Sequence, residues 1–577
     1  MCGINGIFDP KSSYSFLEDI LKMNVSLKHR GPDNQDIYID NDIALGHTRL
    51  SIIDLSADGN QPMQIGNTVI VFNGEIYNYI ELRDELRSKG IQFKTQSDTE
   101  VLLQAYKHWG KGCLPRLNGM FAFAIWDKES KQLFCARDRL GIKPFYYKNV
   151  GSRFIFSSEI KSILYATKDA TPNNEVIKRY LLQGDYGSPC ETFFDGIYAL
   201  NPGCWMNVNK NGKAVNFPYW RLEAKADKFK EGDEEEAMGQ YLELMSDSIK
   251  LRLRSDVRIG LNVSGGLDSS ALLGAIDYYY KHQTKFNVYT YTCGDERYDE
   301  VPYVKQLLNG TEHTWKQCLL TEPEFYNSLK EMQWYFDEPF GGLPTLAYSH
   351  IFKQAREDGV IVLLAGEGMD EQWGGYDYYL DALKGKSLDK ISVIQNTSNP
   401  TMNVLSQDFL KGYENVHYVE PFNNSIDNLK YRDFTYTKIP RSLRFLDRIS
   451  MASSTEVRVP FLDHRLVELS FRMPDNFLIR NNTRKYLLRK LVKDMLPANV
   501  VECNKRPMQT PHREWLKNAS NGWVGDIIKS SSFAERGIFD MKKVNILYNR
   551  YVNGDFDNAF FLWQWINLEI WFRTFID

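Results

Sequence analysis

The chain has 577 residues, 43% hydrophobic and 25% charged; at roughly 100–200 residues per domain this is more than one domain, and wholesale disorder is excluded. Lysine and arginine number 70 against 74 aspartates and glutamates, a formal net charge of −4. That balance excludes an overall electrostatic footprint for nucleic acid, and no nucleic-acid partner is expected.

In chain order, residues 1–208 carry short apolar runs broken by turn signals: VIVFNGEIY (69–77), MFAFAIWD (120–127), QLFCARD (132–138) and RFIFSSE (153–159). Such runs predict sheets packed face to face. Helices are predicted at 79–89 and 98–109. The charged stretch RLEAKADKFKEGDEEE (221–236) reads as linker or solvated surface, so 209–235 is taken as linker and 236–577 as a second domain. There Met238, Tyr241, Leu242, Met245 and Ile249 fall at helical spacing. A strand RIGLNV (258–263), a Gly-rich turn, a helix at 269–281 and strands at 286–292 and 360–366 follow. Strands alternating with helices predict an open, mostly parallel sheet. Residues 437–577 read mainly as helix. The most apolar stretch, FFLWQWINLEIWF (560–572), is too short to span a bilayer and contains Glu569. A buried helix is expected there, and no membrane partner. Asp9 interrupts any apolar secretory segment. The eight cysteines are scattered, with no CxxC, a pattern of reduced thiols in a cytoplasmic protein.

The first candidate site is the N-terminus, Met1-Cys2-Gly3-Ile4. Cysteine is small enough for initiator Met removal, which leaves Cys2 with a free α-amine beside its thiol. That amine, with a reference pKa of about 7.7–8.0, can serve as general base without a separate histidine. The segments MCGINGIFD (1–9), KHRGPDNQ (28–35), LGHTRLSIIDL (45–55), FNGEIYN (72–78), SDTEVLL (97–103), LNGMFAFAIWD (117–127) and ARDRLGIKPFYY (136–147) resemble the class II glutamine amidotransferases in order and spacing. The resemblance implies an N-terminal-nucleophile glutaminase, an α+β domain of sandwiched antiparallel sheets with flanking helices. Hydrolysing a primary amide through a thioester needs donors for the oxyanion; the resemblance assigns these to the Asn73 side chain and the Gly74 N–H. Glycine suits a close approach of backbone to substrate. Glutamine binding is implied for Arg49, Ile53, Asn73, Glu75 and Asp98. Arg49 would pair with the α-carboxylate and Asp98 with the α-ammonium. Taken alone, Asp98 reads as the N-cap of the following helix. His47 is expected to be a buried structural histidine.

The second candidate site follows the predicted strand RIGLNV: Ser264-Gly265-Gly266-Leu267-Asp268-Ser269-Ser270. Two glycines let the backbone wrap an anion, and the helix N-terminus supplies free N–H groups and a positive dipole end. Asp268 beside phosphates needs a cation between them, most simply Mg²⁺. The loop resembles the SGGxDS signature of ATP pyrophosphatases. The segments 251–270, 295–303, 336–340, 365–379, 447–466 and 504–511 extend the resemblance to asparagine synthetase-type enzymes over nearly the whole chain. It implies an α/β ATP-pyrophosphatase domain with a parallel sheet and added helices. Val263, Ser264, Gly265, Gly266, Leu267, Asp268, Ser269, Ser270, Tyr291, Ala365 and Gly366 would bind ATP. Asp268 and Asp370 would hold Mg²⁺ on pyrophosphate, Lys505 would neutralise departing charge, and Glu367 would guide ammonia and take its proton. For Arg458, packing and catalysis stay open.

The expected partners are small molecules: glutamine, ATP and an acceptor carboxylate, with L-aspartate leading and a uronic acid of a nucleotide sugar or glycan precursor as the alternative. The resemblance leaves a homodimer open. The chain departs from the commoner family pattern at Gly341–Tyr348, at Ala365, at Met369, Gln372 and Trp373, and at Lys505–Met508. These segments are expected to line the acceptor pocket. Trp373, Tyr376, Tyr378 and Tyr379 would stack on a sugar ring or fill a core.

Overall fold

Alternating apolar residues in the first half build two antiparallel sheets, described here from a computed structural model. It describes residues 2–10, 16–223, 227–280, 285–386, 400–503, 510–555 and 559–577. The strands of this half are β1 (Gly3–Phe8), β2 (Asn34–Ile39), β3 (Ile43–Arg49), β4 (Met63–Ile65), β5 (Thr68–Ile76), β6 (Gly119–Asp127), β7 (Gln132–Arg137), β8 (Tyr146–Val150), β9 (Arg153–Ser157), β10 (Ile197–Ala199), β11 (Cys204–Val208) and β12 (Ala214–Pro218). One sheet runs β10-β8-β9-β1-β3-β2 and the other β12-β11-β7-β6-β5-β4. The period of two sends Ile4, Phe8 and Leu45 from one sheet against Val69, Val71, Ala124 and Trp126 from the other. The outer face of the second sheet packs under the helices Tyr79–Ser88 and Asp98–Trp109.

The strand β12 lies inside the segment expected to be linker. It pairs with β11 from Cys204↔Pro218 to Val208↔Ala214, so the sheet runs past 208. Its side chains are mostly exposed, and an edge strand with no buried face leaves no alternation to read.

The second half holds five parallel strands: β13 (Ile259–Asn262), β14 (Asn287–Thr292), β15 (Thr314–Leu319), β16 (Val362–Leu364) and β17 (Glu456–Arg458), in the order β15-β14-β13-β16-β17. The sheet winds outward in both directions from β13. The carboxyl ends of β13 and β16 therefore flank a topological switch point, where open α/β sheets place their ligands. The strand β17 falls within the region read as helix. Three residues, two of them charged, carry no strand signature.

The apolar C-terminal segment forms the helix Phe560–Phe575. Trp563, Trp565 and Trp571 are fully buried. Glu569 is buried among them, its charge met by Arg536 at 3.0 Å and Arg573 at 2.7 Å. The indoles of Trp563 and Trp571 donate to the carbonyls of Phe340 and Asp337, each at 2.9 Å, so this helix braces the 337–340 turn. Among the described residues no helix is long and apolar enough to cross a membrane.

The halves share one apolar core, in which Ile7, Tyr146 and Phe193 meet Phe336, Phe445 and Trp571. Buried ion pairs join them as well. Arg30, which also meets Glu159 at 2.8 Å within the first half, reaches Asp447 of the second at 2.9 Å; Lys161 meets Asp337 at 2.9 Å, and Arg448 meets Glu159 at 3.0 Å. Such pairs add little net stability, but losing one partner strands a buried charge. They hold the halves at defined points, one of them directly behind Cys2.

Candidate active sites

Cys2 sits at the head of β1, a central strand pinned on both sides by β3 and β9. It is buried, with its N–H donating to Asn73 Oδ1 at 3.2 Å and its carbonyl accepting from Arg30 Nε at 3.1 Å. The thiol lies 3.9 Å from the Leu50 carbonyl. Burial pushes the Cys2 thiol pKa up, opposed by the N-terminal ammonium, the Leu50 contact and Arg49, while Glu75 adds to the rise. A thiol held protonated needs a base at the moment of attack.

The strand β5 of the opposite sheet brings Asn73 and Gly74 to this point. The Nδ2 of Asn73 is buried without a hydrogen-bond partner, which costs about 1–3 kcal/mol. A donor left open beside a nucleophile can be satisfied by an oxyanion. At Gly74 a Cβ would come within 2.1 Å of the Met120 carbonyl oxygen and 2.7 Å of Phe121 Cα, so only glycine lets β5 pass β6 there.

The remaining residues expected at glutamine surround this pair. Arg49 donates to the Ser56 carbonyl at 2.6 Å, to Asn60 Oδ1 at 2.8 Å and to the Asp54 carbonyl. Its guanidinium thereby shapes the 54–60 loop. Ile53 and Glu75 are buried. Asp98 is the first residue of its helix and not the cap. Ser97 caps the helix, its Oγ accepting from the Thr99 N–H at 3.0 Å. Asp98 instead turns inward and accepts from the Ile76 N–H at 2.9 Å. Burial pushes its pKa up to about 6 against that hydrogen bond, and Glu456 of the second half adds to the rise. His47 is buried with Nε2 3.2 Å from the Phe72 carbonyl; burial pushes its pKa down to about 3, which keeps it neutral and structural.

The second site opens where β13 ends. Ser264 and Ser269 close a tight loop, the Ser264 N–H donating to Ser269 Oγ at 3.0 Å and that hydroxyl donating to the Ser264 carbonyl at 2.9 Å. The helix Leu267–Tyr280 starts from it. A Cβ on Gly366 would lie 2.9 Å from the Ser269 nitrogen, so the loops after β13 and β16 press together as the switch point requires. Between them runs a cleft lined by Val263 to Ser269, Tyr291, Ala365, Gly366, Glu367 and Asp370. Ser270 is absent from this lining. One step further along the helix, it points into the core and is buried.

Asp268 and Asp370, expected from the sequence to hold Mg²⁺, converge here on the ammonium of Lys485. Its ammonium contacts Asp268 and lies 2.6 Å from Asp370. Burial works against the charge, yet the two carboxylates raise the Lys485 pKa. A Cβ on Gly375 would come within 1.9 Å of Asp370 Oδ1 and 2.5 Å of Lys485 Cε, so the Gly374-Gly375 pair admits this contact. Lys485 and Arg489 both line the cleft, and neither was singled out in the sequence. The available signal was the need for a cation opposite two aspartates, and Lys485 has a left-handed φ of 56°, strain that clusters at functional sites. Glu367 accepts from Ser442 Oγ at 3.0 Å; burial raises its pKa, with Asp268 and Asp370 adding to it. A raised pKa makes this carboxylate a stronger base than an exposed glutamate. Lys505 lies outside the described residues, as do Arg506 to Met508.

Trp373 and Met369 do not line the cleft. Both are fully buried in the core of the second half, and Trp373 packs edge-on against Tyr241 at 4.8 Å. Tyr378 and Tyr379 are buried too, bonded to Asp433 at 2.6 and 2.9 Å. Tyr376 and Tyr348 remain as cleft aromatics. Gly342 starts the helix Leu343–Glu357 with a φ of 87°, and a Cβ there would meet His512 at 2.7 Å. Trp373→Ala is therefore expected to destabilise the fold by about 3–5 kcal/mol, seen as a lower unfolding midpoint in denaturant. A change in acceptor preference without loss of stability would contradict this placement.

Residues 1–220 match the family described as glutamine amidotransferase domain, and residues 240–573 match the family described as asparagine synthase. A Bacillus subtilis (strain 168) protein named asparagine synthetase (glutamine-hydrolyzing) 1 is 32% identical, covering 92% of this chain and 90% of its own. A second from the same organism, asparagine synthetase (glutamine-hydrolyzing) 3, is 31% identical over 95% of this chain and 93% of its own.

Proposed function

Since this chain belongs to the asparagine synthase family and is a glutamine-dependent, ATP-using ligase, we propose that it converts L-aspartate to L-asparagine through an acyl-adenylate. Cys2 attacks the side-chain amide of glutamine, its proton passing to the α-amine, and the oxyanion is met by Asn73 Nδ2 and the Gly74 N–H. Ammonia leaves, and water hydrolyses the thioester to glutamate. In the cleft the acceptor carboxylate attacks the α-phosphorus of ATP, and pyrophosphate departs. Ammonia, guided by Glu367, attacks the mixed anhydride; the nitrogen that has bonded to the acyl carbon gives its surplus proton to Glu367, and AMP leaves. Passage inside the protein keeps ammonia from dilution and protonation. Asp268 and Asp370, already converging on one cation, would hold Mg²⁺, which supplies charge neutralisation on pyrophosphate when bound. Lys485, Arg489 and Lys505 are the side chains assigned to the remaining phosphate charge. The eight unpaired cysteines suit a reducing, cytoplasmic setting.

The observation that carries this reading is a pairing of two incomplete sites in one chain: an unpartnered Asn73 donor beside Cys2, and a glycine loop facing two carboxylates bridged by a lysine. The uronic-acid alternative drew on the aromatics of 373–379, and the burial of Trp373, Tyr378 and Tyr379 removes most of that surface. The test is to supply glutamine, ATP and Mg²⁺ with a panel of carboxylates and record which drives AMP formation. AMP formed with aspartate supports the proposal; AMP formed only with a uronic acid overturns the acceptor.

A pH dependence follows from Asp98. If its carboxylate holds the α-ammonium of glutamine, the charged form binds and the protonated form does not. With a pKa of about 6, the KM for glutamine should rise as pH falls through that value, by up to about tenfold per unit. Glutaminase rates at varied glutamine between about pH 7 and about pH 5 check this. A flat KM would remove Asp98 from the ammonium site.

A further inference from the structure

Arg458 ends β17 and is fully buried. Its Nε donates to Glu456 at 2.6 Å, and its Nη1 donates to the carbonyls of Arg252 at 2.7 Å and Arg254 at 2.6 Å. Its Nη2 crosses the junction between the halves and lies 3.8 Å from Glu75 Oε2. Glu75 directly follows Gly74 on β5 and is near enough for its charge to act on the Cys2 thiol. The guanidinium also sits over the Tyr77 ring at 5.5 Å, beside that of Arg252 at 4.6 Å.

Three buried carboxylates, Glu75, Asp98 and Glu456, meet here. Glu456 and Asp98 act on Glu75, and Glu456 acts on Asp98; Arg458 opposes the repulsion at both. The other positive groups facing the cluster are the N-terminal ammonium and Lys143, both of which act on Glu456. The first half thus places Glu75 and Asp98 around Cys2, and the guanidinium that balances them comes from the second. The same segment is tied in twice more: the Asp256 N–H donates to the Ile52 carbonyl at 3.0 Å, and Asp256 Oδ2 accepts from the Asp54 N–H at 2.8 Å. The Arg458 carbonyl in turn accepts from the N–H of Ala365, which lines the nucleotide cleft, at 2.9 Å.

We propose that Arg458 is a positioning residue of the glutamine site, supplied by the synthetase half, which holds Glu75 in place beside Cys2 and so shapes the pocket that receives the α-ammonium of glutamine. The inference rests on the reading of Cys2 as the glutaminase nucleophile. Loss of the guanidinium leaves mutually repelling buried carboxylates, which relieve the repulsion by taking up a proton or moving apart. Either response weakens an ammonium site. The backbone bond to Ala365 does not depend on the side chain, so the nucleotide cleft is touched far less.

The test measures glutaminase kcat and KM for the native chain, Arg458→Lys, Arg458→Gln, Glu75→Gln and the double variant R458Q/E75Q. Ammonia-dependent synthesis on the same preparations reports the integrity of the second site. Arg458→Gln is expected to raise the KM for glutamine by about tenfold or more and to lower the ratio of glutamine- to ammonia-dependent synthesis. Arg458→Lys should recover part of that loss, and in the double variant the two effects should be less than additive, because each alone breaks the same contact. Equal loss of both activities, or a glutamine KM within about twofold of native for both Arg458 variants, overturns the inference while leaving the glutaminase reading intact. A native chain that hydrolyses no glutamine overturns that reading and this inference with it.

Discussion

Cys2→Ala is expected to abolish glutamine-dependent synthesis while ammonia-dependent synthesis continues close to the native rate. Removing the nucleophile of a hydrolase that works through a covalent intermediate costs on the order of 10⁶ in kcat. The side chain lost is small and sits at the head of β1, whose ladder to β3 from Gly3↔Thr48 to Phe8↔Ile43 is made by backbone and survives the change. The nucleotide cleft is built from other strands, so it should keep working when ammonium salt is supplied. Paired assays with glutamine and with ammonia as nitrogen source measure this directly. Equal loss with both would refute the division of labour between the halves. Asn73→Ala extends the test. It removes the open Nδ2 donor and the acceptor of the Cys2 N–H, and the loss of one oxyanion donor costs about 10²–10³ in rate. Mass spectrometry of active protein with Met1 still in place would argue against the Cys2 amine as base.

The second large effect is expected at the cleft. Asp268→Asn and Lys485→Met should each suppress AMP formation by about 10²–10³, or about 2.7–4 kcal/mol, by analogy with the loss of one preorganised charge contact. Asp268 and Asp370 both contact the Lys485 ammonium, so removing Lys485 also takes away a positive charge that both carboxylates face. Glutaminase activity measured alone should be spared. Lys505→Ala, proposed from the sequence, is expected to act in the same direction. Product analysis separates mechanisms: formation of ADP and phosphate in place of AMP and pyrophosphate would rule out the adenylate.

How legible each part was depended on how local its physics is. The loop Ser264–Ser270 could be read because strand, glycines and helix start are adjacent in sequence, and their chemistry is mostly backbone chemistry. Cys2 could be read because its position at the chain start is itself the signal. Lys485 could not: it is 217 residues from Asp268 and sits in a segment that otherwise resembles an ordinary basic helix start. Ser270, expected at ATP, and Trp373, left open between a sugar-stacking and a core position, were hard to place for a related reason. Inside a motif, neighbouring residues rotate by about 100° per position on a helix, and only packing shows which of them face the cleft. Trp373 lies in the core against Tyr241, so a departure from family pattern at that position reports on packing.

By itself, then, the sequence determined the two kinds of chemistry, the sandwich of alternating strands, the parallel strand–helix alternation and the burial of the C-terminal helix. Each of these is written in periods of two or 3.6 residues or in a turn of a few residues. Tertiary structure alone decided which charges meet. The short strand β17 has no pattern of its own, yet its place at the sheet edge carries Glu456 and Arg458 to Glu75 and Asp98 in the other half. The edge strand β12 likewise acquires its identity only by pairing with β11. An ion pair between residues hundreds of positions apart leaves no periodic trace, because what selects it is the desolvation that makes an unpaired buried charge so costly, and that cost exists only once the chain has folded.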